Sequence, residues 1–218
     1  MVVRHGTGCP QTLLILPALF EEANRMRRFT VSLMRALAQR GIGTALPDLP
    51  GTAESVTALK DVTLNDWRDA VGSLAETIRD GAGRCLTVAI RGGAMLDAPA
   101  DFGWRLAPET GERVMRDLVR ATALTSGAKA SGIDTMARTA PTALAGYTLS
   151  PELYEQLASA PLPTNRRRTA RLLEDVGLRD VSLRGVRLWR SAEPGDDPKL
   201  VESAASDIAE WTAICASL

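Results

Sequence analysis

Apolar and polar positions follow two rhythms along this chain, and the changes of rhythm mark its elements. Thr12 to Leu16 is an apolar run, as expected of a strand buried on both faces. Met26, Phe29, Leu33 and Leu37 then recur at helical spacing, with Gly41 as a stop signal. Gly43 to Pro47 reads as a second strand, ending at Asp48-Leu49-Pro50-Gly51. The next helix has Thr63 as its cap and Asp66 three residues on. Its buried stripe is Leu64, Trp67, Val71, Leu74 and Ile78, and Gly81 ends it. Cys85 to Ile90 is a third strand.

Strand, helix, strand, helix, strand in this order implies right-handed crossovers, and so a mostly parallel α/β sheet with helices on both faces. Phe102 to Ala107 reads as a fourth strand. The connection to it, Gly92 to Asp101, contains Pro99 and is too short for an ordinary crossover helix. From Pro108 to Pro163 the pattern is helical and polar, without a strong strand. Val114, Leu118 and Ala121 mark one helix there. Ser150-Pro151 opens another, with serine as cap and proline at the first helical position. Thr125 to Ala140 is rich in small residues and reads as irregular and mobile. Thr169 to Leu173 and Val186 to Arg190 read as late strands, and Asp197-Pro198 opens a final helix striped by Val201, Ala204, Ile208, Trp211, Cys215 and Leu218. The expectation is one domain over 1–218 with a helical cap inserted at about 108–163. The two broad apolar faces of that cap, at Val114–Val119 and Leu149–Leu157, are expected to pack on each other, on the sheet, or across a homodimer.

Composition narrows the function classes. Lys plus Arg equals Asp plus Glu at 26 each, which argues against a nucleic-acid binder. The basic runs Arg25–Arg28 and Arg166–Arg168 read first as solvated faces. Three widely spaced cysteines and a single histidine, His5, give no metal-ligand spacing. They fit free thiols in a reducing, cytoplasmic compartment. No apolar run is long enough to span a membrane, and no cofactor or metal is expected.

The chemistry-bearing feature is the exit from the third strand. In Ala89-Ile90-Arg91-Gly92-Gly93 an apolar strand runs into a glycine turn. This resembles the G-x-S-x-G elbow that displays the nucleophile of α/β-hydrolases, with arginine in the serine's place. Three further segments are similar to hydrolases encoded beside exosortase systems in polysaccharide-exporting bacteria. They are Leu16-Pro-Ala-Leu-Phe-Glu-Glu-Ala-Asn24 with Arg27-Arg28, Leu46-Pro-Asp-Leu-Pro-Gly51 with Ser55, and Ala145-Gly-Tyr-Thr-Leu-Ser-Pro151. One branch of that family also carries arginine at the elbow. The resemblance implies an α/β-hydrolase fold, shortened here after the elbow and between the late strands, and implies little about activity.

A serine–histidine–acid mechanism needs a base beside the nucleophile. His5 precedes the first strand and has no route to the elbow. Ser126-Gly-Ala-Lys129 matches S-x-x-K but lacks its partner motifs. No catalytic residue is therefore assigned. The candidate binding residues are Glu21, Glu22, Asn24, Asp48, Arg91 and Gly92, all at the sheet edge where open α/β folds hold ligands. Arg91 needs a counter-charge there, with Glu21 or Glu22 first and Asp48 third. Three readings follow: a non-catalytic binding or scaffolding component with a small molecule or protein as partner; an esterase or acyltransferase with unorthodox groups; or a small-anion module in which Arg91 grips a carboxylate or phosphate.

Overall fold

The computed structural model describes residues 1–53, 55–164 and 166–218. Its main sheet has seven strands. They are β1 (Val2–His5), β2 (Gln11–Leu16), β3 (Ile42–Pro47), β4 (Leu86–Ile90), β5 (Phe102–Leu106), β8 (Arg167–Leu172) and β9 (Val181–Leu183). Their order is β1-β3-β2-β4-β5-β8-β9. Only β1 runs antiparallel, on the outside of β3. A short hairpin of β6 (Thr142–Leu144) and β7 (Tyr147–Leu149) forms a separate sheet.

Side-chain alternation along the central strands fills two cores. Leu14, Leu16 and Ala89 face one side, against α2 (Leu64–Ala82), α3 (Gly111–Ser126) and α5 (Pro151–Ala158). Leu13, Ile15, Val88 and Ile90 face the other, against α1 (Glu21–Gln39) and α6 (Pro198–Ala216). The start of α2 is set locally. The Thr63 hydroxyl accepts the Asp66 N–H at 3.2 Å, and the Asp66 carboxylate accepts the Thr63 N–H at 2.7 Å. The helix runs past Gly81 to Gly83, whose φ of 75° suits the left-handed cap.

The link from β4 to β5 is short, as its sequence predicts. A 3-10 turn over Arg91–Leu96 replaces a full crossover helix. Asp97 fastens it. This fully buried carboxylate accepts Arg105 Nε at 2.7 Å and Nη2 at 2.8 Å, with Arg167 Nε at 3.1 Å. Three strand-end segments are thereby joined by charge, where a helix would have joined them by apolar packing.

The link from β8 to β9, residues 173–180, carries no helix. The face of β8 that such a helix would cover bears Arg167, Thr169 and Arg171, while Ala170 and Leu172 pack under α6. The strand's polarity thus matches its half-bare setting.

Three expectations need correction. Val186 to Arg190 is not a strand. Residues 188–190 form a 3-10 turn with Leu188 and Trp189 buried, and the last strand is Val181–Leu183. Thr125 to Ala140 is not irregular, because it holds α4 (Ala130–Ala137), anchored by buried Ile133 and Ala137. Asp134 accepts the Tyr154 hydroxyl at 2.6 Å, and Arg138 bridges Asp134 to Glu155. The segment between β5 and β8 also contains a hairpin where no strand is evident in the pattern. The apolar faces of α3 and α5 pack together within the chain, through Met115, Leu118, Val119, Leu153 and Leu157.

Candidate active-site edge

The C-terminal ends of β2, β4 and β5 each exit through a residue with positive φ. These are Phe20 at 53°, Arg91 at 53° and Ala107 at 41°. Such conformations strain non-glycine residues by about 1–3 kcal/mol each and persist only where the surroundings enforce them. The strained elbow is therefore present with arginine at its apex. What enforces it is close packing. A Cβ on Gly93 would lie 2.3 Å from the Pro17 carbonyl oxygen and 2.7 Å from that of Leu16. Gly92 is roofed by Leu19 and Val114, whose atoms would meet its Cβ at 3.3 and 3.2 Å.

Arg91 is buried, and its guanidinium is used from every side. Nε donates to Glu22 at 3.0 and 3.2 Å, and Nη2 donates to Glu22 Oε1 at 2.9 Å. Nη1 donates to the Ala107 carbonyl at 2.7 Å, which the left-handed turn at Ala107 aims inward, and to Glu109 Oε1 at 3.4 Å. The face of the guanidinium lies over the Trp189 ring, 4.8 Å from its centroid. Glu109 is shared with Arg113 at 3.2 Å. Two arginines and two glutamates thus make a neutral set. Arg25 supports it from below, donating to the Trp189 carbonyl at 3.1 Å and pairing with Glu21 at 3.9 Å.

The candidate residues therefore separate. Arg91, Glu22 and Gly92 come together. Glu21 lines the same cleft but pairs with Arg25. Asp48 is not a partner of Arg91. It sits at the end of β3, two strands away, with Oδ2 3.9 Å from the Met1 ammonium, because β1 folds back against β3 there. Asn24 is exposed one turn further along α1 and lines a different groove. His5 lies in edge strand β1, opposite Thr44. The Ser126 hydroxyl is engaged by the Thr122 carbonyl at 2.7 Å on the exposed end of α3. Cys85 is buried just before β4, and burial first, with Asp101 adding to it against the opposing charge of Arg79, pushes its thiol up to about 11. Among the described residues no cluster of His, Cys, Asp or Glu can hold a metal ion. No helix there is long and apolar enough to cross a membrane.

Glu109, Trp189 and the turn at Ala107 have no counterpart in the sequence reading. Glu109 had a findable signal, since it follows the strand beside the elbow strand and is preceded by Pro108. Trp189 was hidden inside an apparent strand.

Among similar folds are α/β-hydrolase domain-containing protein 10 from mouse, a putative hydrolase from Agrobacterium vitis S4, and a monoacylglycerol lipase from Paleococcus ferrophilus. Their TM-scores are 0.58, 0.56 and 0.54, each at 14% identity. The alignments cover 98%, 96% and 97% of this chain and 94%, 91% and 97% of theirs. The fold is that of the α/β-hydrolases. No protein-family model and no curated protein matches the sequence. In that fold the triad runs in chain order serine, acid, histidine, with the histidine last. Here the loop after the last strand brings Trp189 to the elbow instead. An indole N–H can donate a hydrogen bond but cannot take a proton from a nucleophile.

The cleft over this set has a volume of about 420 Å³. Leu19, Phe20, Val114 and Leu118 form its apolar wall, and Arg120 and Arg190 stand at its rim. A larger groove, of about 570 Å³, lies on the outer face of α1 and shares no lining residue with it.

Proposed function

We propose that this chain is a non-catalytic protein on an α/β-hydrolase fold, acting as a binding or scaffolding component. The observation that carries the reading is the state of Arg91. Arginine occupies the elbow, its donors are spent on Glu22, Glu109 and the Ala107 carbonyl, and its face is closed by Trp189. Nucleophilic catalysis requires an activated nucleophile and an adjacent base, and this geometry supplies neither. The same occupancy speaks against Arg91 as an anion hook, since a ligand would first have to displace two carboxylates.

The motifs shared with exosortase-associated hydrolases support a setting in bacterial polysaccharide export. Deleting the gene from its host is expected to reduce exported polysaccharide, with recovery on supplying the intact chain. Unchanged export would remove that part of the reading. The non-catalytic part is tested with a panel of p-nitrophenyl and thioester substrates. Turnover no greater than that of heat-denatured protein is expected. Turnover that disappears on changing one defined residue would establish the unorthodox esterase instead.

A further inference from the structure

The groove on the outer face of α1 is lined by three arginines and a single acid. Asn24, Arg27, Arg28, Ser32 and Arg35 fall along one side of the helix and wall the groove together with the segment 194–196. Asp196 is the one acid that lines it. That carboxylate is already engaged. Oδ2 accepts the Ser32 hydroxyl at 2.7 Å, Oδ1 accepts the Asp197 N–H at 3.0 Å, and Arg28 Nε approaches Oδ2 only to 3.8 Å.

The other partnered arginines of this helix region are matched one to one, Arg25 by Glu21 and Arg40 by Glu202. Arg27 and Arg35 form no ion pair among the described residues. Three guanidinium groups against one carboxylate leave an excess of two positive charges in one concavity, on a chain whose formal net charge is zero. The concavity also holds Asn24, an exposed amide that can donate beside the three guanidinium groups.

We propose that this groove binds a compound carrying a diphosphate group. Guanidinium forks match phosphate oxygens in planar pairs and hold their charge at any physiological pH. Arg28 and Arg35 stand about 10.5 Å apart along the axis, at about 1.5 Å rise per residue. Arg28 lies by the Asp196 carboxylate that Ser32 holds, and Arg35 lines the same groove further along the helix. One phosphate engages one end of such a pair, whereas two linked phosphates engage both. A groove of about 570 Å³ also leaves room for an organic body beyond the diphosphate. The site is independent of Arg91 and of whether the sheet edge is catalytic.

Calorimetric titration of the full chain with inorganic pyrophosphate, at low ionic strength, tests this. Screening lengths there exceed the ~10 Å of 0.1 M salt, so charge contacts are read at full strength. Saturable binding at one site is expected, at least about tenfold tighter than inorganic phosphate. Arg27→Ala with Arg35→Ala should weaken it at least about tenfold, with an unchanged circular dichroism spectrum. The control pair Arg68→Ala with Arg116→Ala, on the opposite layer, should leave it intact. Absence of saturable binding, equal weakening by the control pair, or binding to anionic phospholipid vesicles without binding to pyrophosphate would each overturn the proposal.

Discussion

Replacing Arg91 isolates the energetics of the elbow. Arg91→Ala leaves Glu22 without its partner and Glu109 with Arg113 alone, their side chains only 22% and 16% exposed, and strips the donor from the Ala107 carbonyl. Breaking a buried pair by removing one partner costs about 3–5 kcal/mol. Partial hydration of Glu22 and Glu109 places this case at the low end, at about 3 kcal/mol. For a chain of this size that lowers Tm by about 6–12 °C, at about 2–4 °C per kcal/mol. The backbone adds a second signature. Residue 91 has φ of 53°, which alanine tolerates no better than arginine but glycine adopts freely. Arg91→Gly should therefore be less damaging than Arg91→Ala by about 1 kcal/mol, the reverse of the usual order. Adding Glu22→Gln to Arg91→Ala should recover part of the loss, because it removes one of the stranded charges. Thermal denaturation of the four proteins reads all three effects. A Tm for Arg91→Ala within about 2 °C of wild type, where about 6 °C is the least expected, or glycine proving worse than alanine, would show that neither the buried pairing nor the positive φ at residue 91 carries this weight.

Gly93→Ala should destabilise by about 3 kcal/mol or more, because its methyl group meets fixed backbone oxygens of Leu16 and Pro17; recovery of soluble, folded protein with native Tm would contradict the packing. Ellman titration at pH 8 should find one thiol in the native protein, half-buried Cys9, and three after denaturation, since Cys85 and Cys215 are buried and both thiols are raised by that burial. Asp207 should contribute to acid sensitivity. Burial pulls its pKa up, but hydrogen bonds from Arg168 and Trp104 and the charge of Arg168 outweigh this and hold it below the usual range. Its contribution is therefore complete above the ordinary value of about 3.9 and lost as pH falls through the lower folded value. Asp207→Asn should flatten the pH dependence of stability in that window, and an unchanged profile would show that the pairing carries no weight.

Where sequence and structure agree, the signal is local. The apolar run at Leu13–Leu16 is a strand buried on both faces, and Thr63 with Asp66 caps α2 as their spacing predicts. The shortness of the Gly92–Asp101 link could be counted directly, and the structure spans it with a 3-10 turn. What escaped the sequence depends on long-range assembly. The Trp189 segment has the alternation of a strand, yet its neighbours are α1 and Arg91, and that contact fixes it as a buried turn. Glu109 becomes a partner of Arg91 only because Ala107 turns through a left-handed conformation that no residue type there advertises. Asp48 stands after a strand at the same edge as Glu22, but strand order places it two positions from β4 and Arg91, where the Met1 ammonium is its ion-pair partner. Adjacency at a sheet edge follows from topology, and the sequence spacing of Glu22, Asp48 and Arg91 does not encode it.

On the proposed reading, the sheet edge around Arg91 holds no activated nucleophile. Intact-mass analysis after incubation with a fluorophosphonate reads this directly, since such probes phosphonylate serines made reactive by a neighbouring base. An unmodified mass is expected for the native protein, with a known serine hydrolase labelled in the same tube. A stoichiometric adduct on any residue, abolished by prior denaturation, would contradict it.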